Sequence, residues 1–466
     1  MKYISTRSDA PDLDFESVLL TGLARDGGLY VPESWPQFSP DDIRDLRGLT
    51  YSEMAVRVLK PFVEDSIPEP DLSYIVNETY KQFNHNAIAP IKQVGPNHWL
   101  AELFHGPTLA FKDYPLQLVG RLFDYILKKR NKKITIIGAT SGDTGSAAIE
   151  ACKDKNSINV FIIHPKNRVS EVQRRQMTTV KSSNIHNIAL DGTFDDCQDM
   201  VKALFADQSF RDKHNLSAIN SINWARIMAQ IVYYFWTSVS LGAPDRSLTY
   251  AVPTGNFGNI YAGYAAKKMG LSIDKFIVGS NENNILTRFF APDNTKGKMS
   301  TSPVVKTLSP SMDIQISSNF ERLLFDICKH DGRAVANALE EFRKNQTIEF
   351  GEGCWSEMCK TFQGMSLSNE ETKSSITEVY NSTGELLDPH SVIGLIAARK
   401  ASNTAESIMV SLATAHPAKF PDTVNDAVGI YPSLPEHLSD LFDRDETYTE
   451  LPNNIDNMRD FINKKN

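Results

Sequence analysis

The stretch FHGPTLAFKDYP, residues 104–115, holds a single lysine, Lys112, in an apolar setting rich in glycine and proline. Asp113 is the expected cap of a helix that begins here, and Pro115 suits its first turn. We expect a lowered pKa for Lys112, because both a helix dipole and partial burial disfavour the ammonium. Such an amine can attack a carbonyl and form a Schiff base, whereas most lysines are solvated surface residues. The helix itself is predicted by apolar residues at the spacing of one helical face: Leu116, Val119, Phe123, Ile126 and Leu127.

The composition is that of an ordinary globular protein of two or three domains. The 466 residues are 41% hydrophobic and 23% charged, and the net charge of -8 argues against general affinity for nucleic acid. No stretch approaches the roughly 18 uninterrupted apolar residues of a membrane span, and the N-terminus lacks a hydrophobic signal core. The five cysteines are scattered, and Cys354 and Cys359 have no matching second pair, which argues against a zinc site. We therefore expect a cytoplasmic protein without a metal, a membrane or a nucleic-acid partner.

Strand and helix patterns alternate from about residue 91 onward, which predicts a mostly parallel sheet covered by helices. A long apolar helix is expected at 220–242, and a loop rich in Ser, Thr, Pro and Asn, a candidate lid, at 291–320. A last buried strand is expected at 407–416. The other expected strands are apolar, β-rich runs at 134–140, 159–165, 184–192, 247–255 and 275–281.

These patterns predict an α/β fold with two domains of mostly parallel sheet flanked by helices, with helical additions in the N-terminal region and the C-terminal half. Residues 1–90 are expected to form a mostly helical region. An α/β domain with the lysine is expected at 91–235, and a second α/β domain at 236–466, with a helical insertion at about 320–385 and a C-terminal strand.

The turn PTGNFGN, residues 253–259, joins a predicted strand to a predicted helix. Gly255 and Gly258 allow the main chain to approach an anion, and free N–H groups at a helix start supply positive potential. The turn lacks the lysine of a P-loop, and the chain lacks the GxGxxG dinucleotide fingerprint. The turn is either a phosphate cradle or a tight turn without a ligand.

The turn ATSGDTG, residues 139–145, has the same position between a strand and a helix. Ser141, Thr144 and the amides around Gly142 can bind a small anion such as a substrate carboxylate. The alternative is that Asp143 or Thr144 simply caps the helix.

Thr414 lies at the carboxyl end of the strand expected at 407–416, where ligands bind in open α/β sheets. Its hydroxyl can hydrogen-bond a neutral ring nitrogen, although an isolated strand threonine is usually structural. We expect structural roles for His105, His390 and His416. Candidates for a substrate phosphate are Arg168 and Arg226, whereas the pair Arg174 and Arg175 is expected to form a solvated helix face.

A reactive lysine, a phosphate cradle, a carboxylate turn and a strand-end hydroxyl are what an enzyme needs to hold pyridoxal phosphate and an amino acid. From about residue 26 almost to the C-terminus, the chain resembles the threonine synthase family of the longer fungal and bacterial type. That family has the fold-type II, tryptophan synthase β-like architecture of pyridoxal-phosphate enzymes. The motifs that carry the resemblance occur in this order: FHGPTLAFKD, GATSGDTGSAA, NSINWARI, VPTGNFGN, TLSPSMDIQISSNFERLLF, LDPH and TAHPAKF.

The resemblance implies a role for each of these motifs. Lys112 resembles the Schiff-base lysine, and Thr414 resembles the residue that meets the pyridine nitrogen. The residues that resemble the cofactor phosphate loop are Gly255, Asn256, Phe257 and Asn259. The residues that resemble the turn at the substrate carboxylate are Ser141, Asp143 and Thr144.

The implied reaction converts O-phospho-L-homoserine and water to L-threonine and phosphate. We expect a cytoplasmic protein that is a monomer or a homodimer. Lys112 is expected to act as the general base once the substrate amine has displaced it from the cofactor. Arg226 is expected to bind the substrate phosphate, together with Lys166 or Arg168.

The chain departs from the family pattern at a few positions. Ser8 stands where glycine is common. Asn167 and Glu171 replace glycine and proline in the loop that is expected to bind the substrate phosphate. Asp143 stands where dehydratases and sulfhydrylases of this fold carry asparagine, which favours the synthase. The alternatives are a threonine/serine dehydratase, a phospho-amino-acid phospho-lyase and a non-catalytic pyridoxal-phosphate-binding protein.

Overall fold

The computed structural model describes residues 1–294, 296–401 and 408–466. Its strands are short at the N-terminus, and most of the longer ones lie in two mostly parallel sheets. In chain order they are β1 Tyr3–Ser5, β2 Tyr30–Pro32, β3 Ile91–Gly95, β4 His98–Glu102, β5 Ile134–Ala139, β6 Ile158–Pro165, β7 Ile185–Asp191, β8 Leu216–Ser217, β9 Leu248–Pro253, β10 Ile273–Ser280, β11 Lys298–Ser300, β12 Thr347–Glu349, β13 Phe362–Ser366, β14 Ile408–Ala413 and β15 Thr449–Pro452.

Helices cover both sheets, and within the described ranges none is long and apolar enough to cross a bilayer. In chain order they are α1 Phe15–Thr21, α2 Pro40–Arg44, α3 Tyr51–Val63, α4 Glu69–Tyr80, α5 Asp113–Arg130, α6 Asp143–Cys152, α7 Glu171–Thr178, α8 Phe194–Ala206, α9 Gln208–His214, α10 Trp224–Ser240, α11 Gly258–Lys268, α12 Ile285–Phe289, α13 Phe320–Ile327, α14 Gly332–Asn345, α15 Glu352–Thr361, α16 Asn369–Thr383, α17 Pro389–Ala401, α18 Pro421–Val428 and α19 Ile455–Lys465.

The segment before residue 91 forms a helical layer that packs against α10 and α5. Thr50 begins α3 with a capping box, in which its hydroxyl accepts from the N–H of Glu53 and the Glu53 carboxylate accepts from the N–H of Thr50. The Tyr3 hydroxyl donates to the Phe62 carbonyl at 2.7 Å and ties β1 to α3. The apolar face of α3 is buried against α10, which is the long apolar helix expected at 220–242.

The first large sheet has the strand order β15-β7-β6-β5-β8 and is parallel throughout. It contains the strands predicted at 134–140, 159–165 and 184–192. Alternate residues of its strands face opposite layers: Ile136 and Val160 pack with the α5 and α6 side, and Ile137 and Phe161 pack with α8 and α19. Both faces are therefore covered, as expected for a parallel sheet.

The second large sheet has the order β13-β10-β9-β14-β4-β3, and only its edge strand β3 is antiparallel to its neighbour. Strands β3 and β4 belong to this sheet although they precede the first sheet in the chain. Alternation of apolar residues identifies a strand but not its partner, so the sequence could not show this pairing. The domain bounds 1–90, 91–235 and 236–466 stay a prediction. These bounds place β3 and β4 with the first sheet, whereas both strands pair within the second sheet.

The segment 291–320 is not a plain loop. Strand β11 pairs with β12, and a short 3₁₀ turn covers Pro310–Met312. Its role as a lid stays a prediction. The helical region after it contributes β13 to the edge of the second sheet. For the last predicted strand, Ser407 lies outside the described residues, and β14 covers Ile408–Ala413.

Helices α5 and α6 approach closely at Gly120, where a Cβ would lie 2.5 Å from the Ala151 carbonyl oxygen. We expect Gly120→Ala to lower the free energy of unfolding by about 1–3 kcal/mol, because the backbone must shift to admit the methyl group. Urea unfolding measures the change. Gly353→Ala is the control, since nothing lies within 4 Å of a Cβ at that helical position. It should be neutral or stabilising, and equal losses in the two variants would contradict the close-packing argument.

Candidate active site

Lys112 lies directly before α5, at the end of the loop that follows β4. This loop is held against the end of β14. The Phe111 N–H donates to the Thr414 carbonyl at 2.8 Å, and Ala110 forms a bridge with Ala415. Because β4 and β14 are parallel neighbours, their carboxyl ends bring the lysine loop and Thr414 together.

Asp113 does not cap α5, so that prediction is wrong. Its fully buried carboxylate accepts from the Thr108 N–H at 2.8 Å and from the Thr108 hydroxyl at 2.7 Å. Burial raises the pKa of Asp113 to about 6, although the bonds from Thr108 and the charge of Lys419 oppose the rise. Thr108 belongs to the loop before α5, so the Asp113 carboxylate holds that loop against the start of the helix. Pro115 does lie in the first turn of α5, as predicted.

The Lys112 amine makes two long contacts. Its Nζ lies 3.3 Å from Oδ2 of Asp143 and 3.4 Å from the Ser311 hydroxyl, whereas charge-assisted hydrogen bonds are commonly about 2.7–2.9 Å. The side chain is 12% exposed. Burial is the main cause of a lowered pKa for Lys112; the charge of Asp143 opposes it, and those of Lys419 and Arg226 add to it. The predicted direction of the pKa shift agrees with this environment.

Lys419 is a second lysine at this site, and sequence reasoning gave it no role. It is fully buried in the short turn after β14. Its Nζ donates to the Thr108 carbonyl at 2.6 Å and to Oε1 of Gln176 at 2.9 Å, and it lies 3.0 Å from Oδ1 of Asp143. Its three N–H donors therefore have three acceptors. The motif TAHPAKF contains this lysine, but no local pattern separates it from a surface lysine.

Asp143 joins the two lysines through its two oxygens. Oδ2 faces Lys112, and Oδ1 faces Lys419 and accepts from the Gln173 amide at 2.8 Å. Burial alone would raise the pKa of Asp143, but the charges of Lys419 and Lys112 hold it far below its usual range. The site therefore contains an ionised, buried carboxylate between two amines.

The turn 139–145 is capped by a residue that the sequence did not suggest. The Thr140 hydroxyl oxygen accepts from the N–H groups of Gly142 at 2.9 Å and Gly145 at 2.8 Å. The alternative in which Asp143 or Thr144 caps the helix is wrong, because α6 has no side-chain cap from either residue. Ser141 and Thr144 are half-buried.

The turn 253–259 lies beside Ser311. A Cβ at Gly255 would lie 2.7 Å from the Ser311 carbonyl oxygen, so only glycine permits this approach. The Ser317 hydroxyl donates to the Gly255 carbonyl at 2.5 Å, and the main-chain and side-chain N–H groups of Asn319 both donate to the Asn256 carbonyl at 3.1 Å. The turn is thus fixed through its carbonyl groups. Its link to Lys112 is Ser311, which contacts both.

Helix α11 begins at this turn with Phe257 in the left-handed conformation, φ 63°. Asn259 lies in its first turn. The Asn259 amide oxygen accepts from the hydroxyls of Tyr233 at 2.7 Å and Tyr234 at 2.9 Å, whereas its buried Nδ2 has no hydrogen-bond partner. Nε of Arg226 is likewise buried without a partner.

These features fit a phosphorylated cofactor with a reactive carbonyl. Buried donors without partners cost free energy, and an anion that accepts from them recovers it. The Nδ2 of Asn259 belongs to the turn that would bind the phosphate, and Gly255 leaves no Cβ there. Lys112 supplies the amine. Ser311 contacts both Lys112 and Gly255 of the turn predicted to bind the phosphate, and Phe111, next to Lys112, donates to the Thr414 carbonyl. The three parts of the site predicted from the sequence therefore lie side by side.

Among the basic residues considered for a substrate phosphate, Arg226 alone is buried. It is 4% exposed, and burial lowers the pKa of Arg226 to about 10, so the guanidinium stays charged at neutral pH. Lys166 is paired with Glu450 at 2.6 Å, and Arg168 is exposed.

Arg174 and Arg175 are not a solvated helix face, contrary to expectation. Nε of Arg174 lies 2.9 Å from Glu446, and Arg175 pairs with Glu171 at 2.9 Å. The pair holds the C-terminal segment against α7, because Arg175 also donates to the Phe442 carbonyl.

His390 adjoins the site, although only a structural role was expected. The Ser311 N–H donates to Nε2 of His390 at 3.3 Å, so the ring proton lies on Nδ1, which donates to Asp388 at 2.7 Å. His105 lies 2.7 Å from Glu102, and His416 begins the turn that carries Lys419. The described part of the chain contains no cluster of three or more His, Cys, Asp and Glu residues suited to a metal.

We expect Gly255→Ala to weaken pyridoxal phosphate binding about tenfold or more, because a Cβ overlaps the Ser311 carbonyl and the turn must move. Titration of the cofactor-free protein with pyridoxal phosphate measures the affinity. Gly353→Ala, remote from the turn in sequence and open around its Cβ, should bind the cofactor like the wild type. Unchanged affinity in Gly255→Ala would contradict the assigned cradle.

Comparison with known proteins finds relatives along the whole chain. Family models match residues 2–80 as threonine synthase N terminus, 85–346 as pyridoxal-phosphate dependent enzyme and 391–462 as threonine synthase C-terminal. A threonine synthase of Pseudomonas aeruginosa is 54% identical over 465 residues, which are 100% of this chain and 98% of the relative. That of Saccharomyces cerevisiae is 41% identical, over 94% of this chain and 93% of the relative.

A solved structure gives the same result. The pyridoxal-phosphate-bound threonine synthase of Brucella melitensis superposes with a TM-score of 0.96 at 48% identity, covering 100% of this chain and 99% of that one. The fold is therefore the fold-type II arrangement that the sequence predicts, and the cofactor is pyridoxal phosphate. The chain belongs to the threonine synthase family of pyridoxal-phosphate-dependent enzymes.

Proposed function

We propose that the protein converts O-phospho-L-homoserine and water to L-threonine and phosphate. The observation that carries this proposal is the charge of the site. The fully buried Lys419 shares the ionised carboxylate of Asp143 with the Lys112 amine, and Arg226, which is also buried, has no ion-pair partner among the described residues. Burial of unpaired charge is costly, so the site favours anionic ligands.

The number of anionic groups on the substrate favours O-phospho-L-homoserine over the serine or threonine that a dehydratase uses. The cofactor phosphate belongs at the turn 255–259. Serine and threonine bring only a carboxylate, whereas O-phospho-L-homoserine brings a carboxylate and a phosphate dianion. Arg226, with its unpartnered Nε, suits the substrate phosphate, because a guanidinium binds phosphate oxygens through two parallel N–H groups.

The carboxylate of the substrate is assigned to the turn 141–144. Ser141, Thr144 and the main-chain amides at the start of α6 can donate to it. The ionised carboxylate of Asp143 would repel it, so we assign Asp143 to holding the two lysines instead. Thr414 is assigned to the pyridine nitrogen of the cofactor, beside the Phe111 N–H that its carbonyl binds.

Lys112 is the group that moves protons. When bound, the cofactor supplies an electron sink for the negative charge that develops on the substrate. The Lys112 amine removes the proton at the α-carbon, gives that proton up, and then removes one at the β-carbon. The bond between the γ-carbon and the phosphate oxygen breaks, and the phosphate leaves and takes up a proton. Lys112 donates a proton to the γ-carbon, water adds its hydroxyl at the β-carbon, and a proton returns to the α-carbon. The long contacts to Asp143 and Ser311 leave this amine free to reach successive carbons.

We also propose a cytoplasmic location and a monomeric or homodimeric state. The five cysteines are all unpaired, which suits a reducing compartment.

We expect Lys112→Ala to lower kcat by about 10³-fold or more, because both the cofactor link and the general base are lost. A phosphate-release assay with O-phospho-L-homoserine measures the rate, and chromatography must identify threonine rather than 2-oxobutyrate. Lys202→Ala, a surface control whose side chain is 71% exposed, should keep full activity. Borohydride reduction of the wild type should place the pyridoxyl label on Lys112; a label elsewhere would overturn the assignment.

We expect Arg226→Met to raise KM for O-phospho-L-homoserine about tenfold or more, since a charge-assisted contact of roughly 1.5–3 kcal/mol is lost. Binding of L-threonine, which has no phosphate, should change far less. Affinity for pyridoxal phosphate serves as the control. If cofactor affinity falls and KM does not rise, Arg226 binds the cofactor phosphate rather than the substrate phosphate.

A further inference from the structure

Two lysines compete for one carboxylate beside the cofactor site, and they hold it unequally. Lys419 makes contacts of 2.6, 2.9 and 3.0 Å with its three acceptors. Lys112 reaches the same carboxylate only at 3.3 Å and has a second contact of 3.4 Å. Asp143 is therefore held mainly by Lys419, and it is only a partial counterion for Lys112.

We propose that Lys419 is a positioning residue that keeps the Lys112 amine unprotonated and ready to attack. Lys419 does so in two ways: it holds the carboxylate of Asp143, and it places a fixed positive charge beside the Lys112 amine. The proposal rests on the function proposed above for Lys112. Lys419 is fully buried, so its charge is not screened by solvent. Its own partners on α7 and in the loop before Lys112 fix its position independently of Asp143.

The surrounding charges agree with this role. Lys112 is faced by Asp143 from α6, Lys419 from the turn after β14 and Arg226 from α10. The cations oppose protonation of Lys112 and the carboxylate favours it. Removal of Lys419 would remove one opposing charge and leave Asp143 to pair with Lys112 alone. The other groups that face this cluster are His390, which acts on Asp143, and Asp113 and His416, which interact with Lys419.

The test is the pH at which half of the Lys112 amine is protonated. Competitive acetylation of the full chain, freed of cofactor, over a series of pH values and peptide mapping of Lys112 give this midpoint. We expect Lys419→Met to raise it by about one pH unit or more, within the range of about 1–3 units typical for a nearby charge. Asp143→Asn should lower it, and the double variant should lie between the two.

Cofactor loading provides the second measurement. A rise of one unit lowers the unprotonated fraction of Lys112 about tenfold at neutral pH. The rate at which added pyridoxal phosphate develops its visible absorbance should therefore fall about tenfold in Lys419→Met, and this loss should disappear at high pH.

Gln176→Met is the matched control, because it removes a contact of Lys419 without changing any charge. It should leave the midpoint unchanged. If Lys419→Met and Gln176→Met shift the midpoint alike, or if Lys419→Met does not raise it, the inference fails. Should Lys419→Met not fold, the double variant carries the test, since it removes both members of the buried Lys419–Asp143 pair together and must have a higher midpoint than Asp143→Asn. Absence of cofactor loading in the wild type would overturn the proposed function, while the acetylation midpoints would still decide this inference.

Discussion

The carboxylate of Asp143 holds together parts of the chain that are far apart in sequence. It begins α6 of the first sheet, yet its ion-pair partners, Lys112 and Lys419, follow β4 and β14 of the second sheet. A buried carboxylate is stable only with such partners, and each buried lysine in turn needs a carboxylate or several acceptors. The contact between the two sheets at this point is therefore an electrostatic requirement, and the position of the Lys112 amine depends on it.

Features that are local in the chain were predictable from the sequence. Strands β5, β6 and β7 of the first sheet, the helix after Lys112 and the glycine turn 253–259 each follow from spacing or turn chemistry within a few residues. The partner of β4 and the burial of Lys419 could not be predicted, because both depend on contacts between distant segments. Only the resemblance of whole motifs brought these distant segments into one hypothesis.

The cap predicted at Asp113 and the alternative of a cap at Asp143 fail for a common physical reason. Asp113 and Asp143 both stand where a carboxylate commonly caps a helix, a contact of about 1 kcal/mol. Both instead turn toward stronger partners, namely the two donors of Thr108 and the two lysine amines. Removal of one partner of a buried ion pair such as that of Asp143 costs about 3–5 kcal/mol. Each hydrogen bond to a charged group such as the Asp113 carboxylate contributes roughly 1.5–3 kcal/mol. These contacts therefore prevail over the local cap. Departures from local rules of this kind are expected at functional sites.

Ser311 is a second residue that connects separate parts of the site. Its hydroxyl contacts Lys112, its N–H donates to His390 and its carbonyl limits the space at Gly255. The loop that carries it is held from behind, where Asp313 accepts from Thr307 and from side chains after β10, Asn281 and Asn283. The loop therefore keeps its position through contacts with the protein alone. Ser311 contacts both the Lys112 amine and the turn 253–259, so this bracing fixes the distance between them. A cofactor bonded to Lys112 and bound through its phosphate at that turn, as proposed above, would require such a fixed distance.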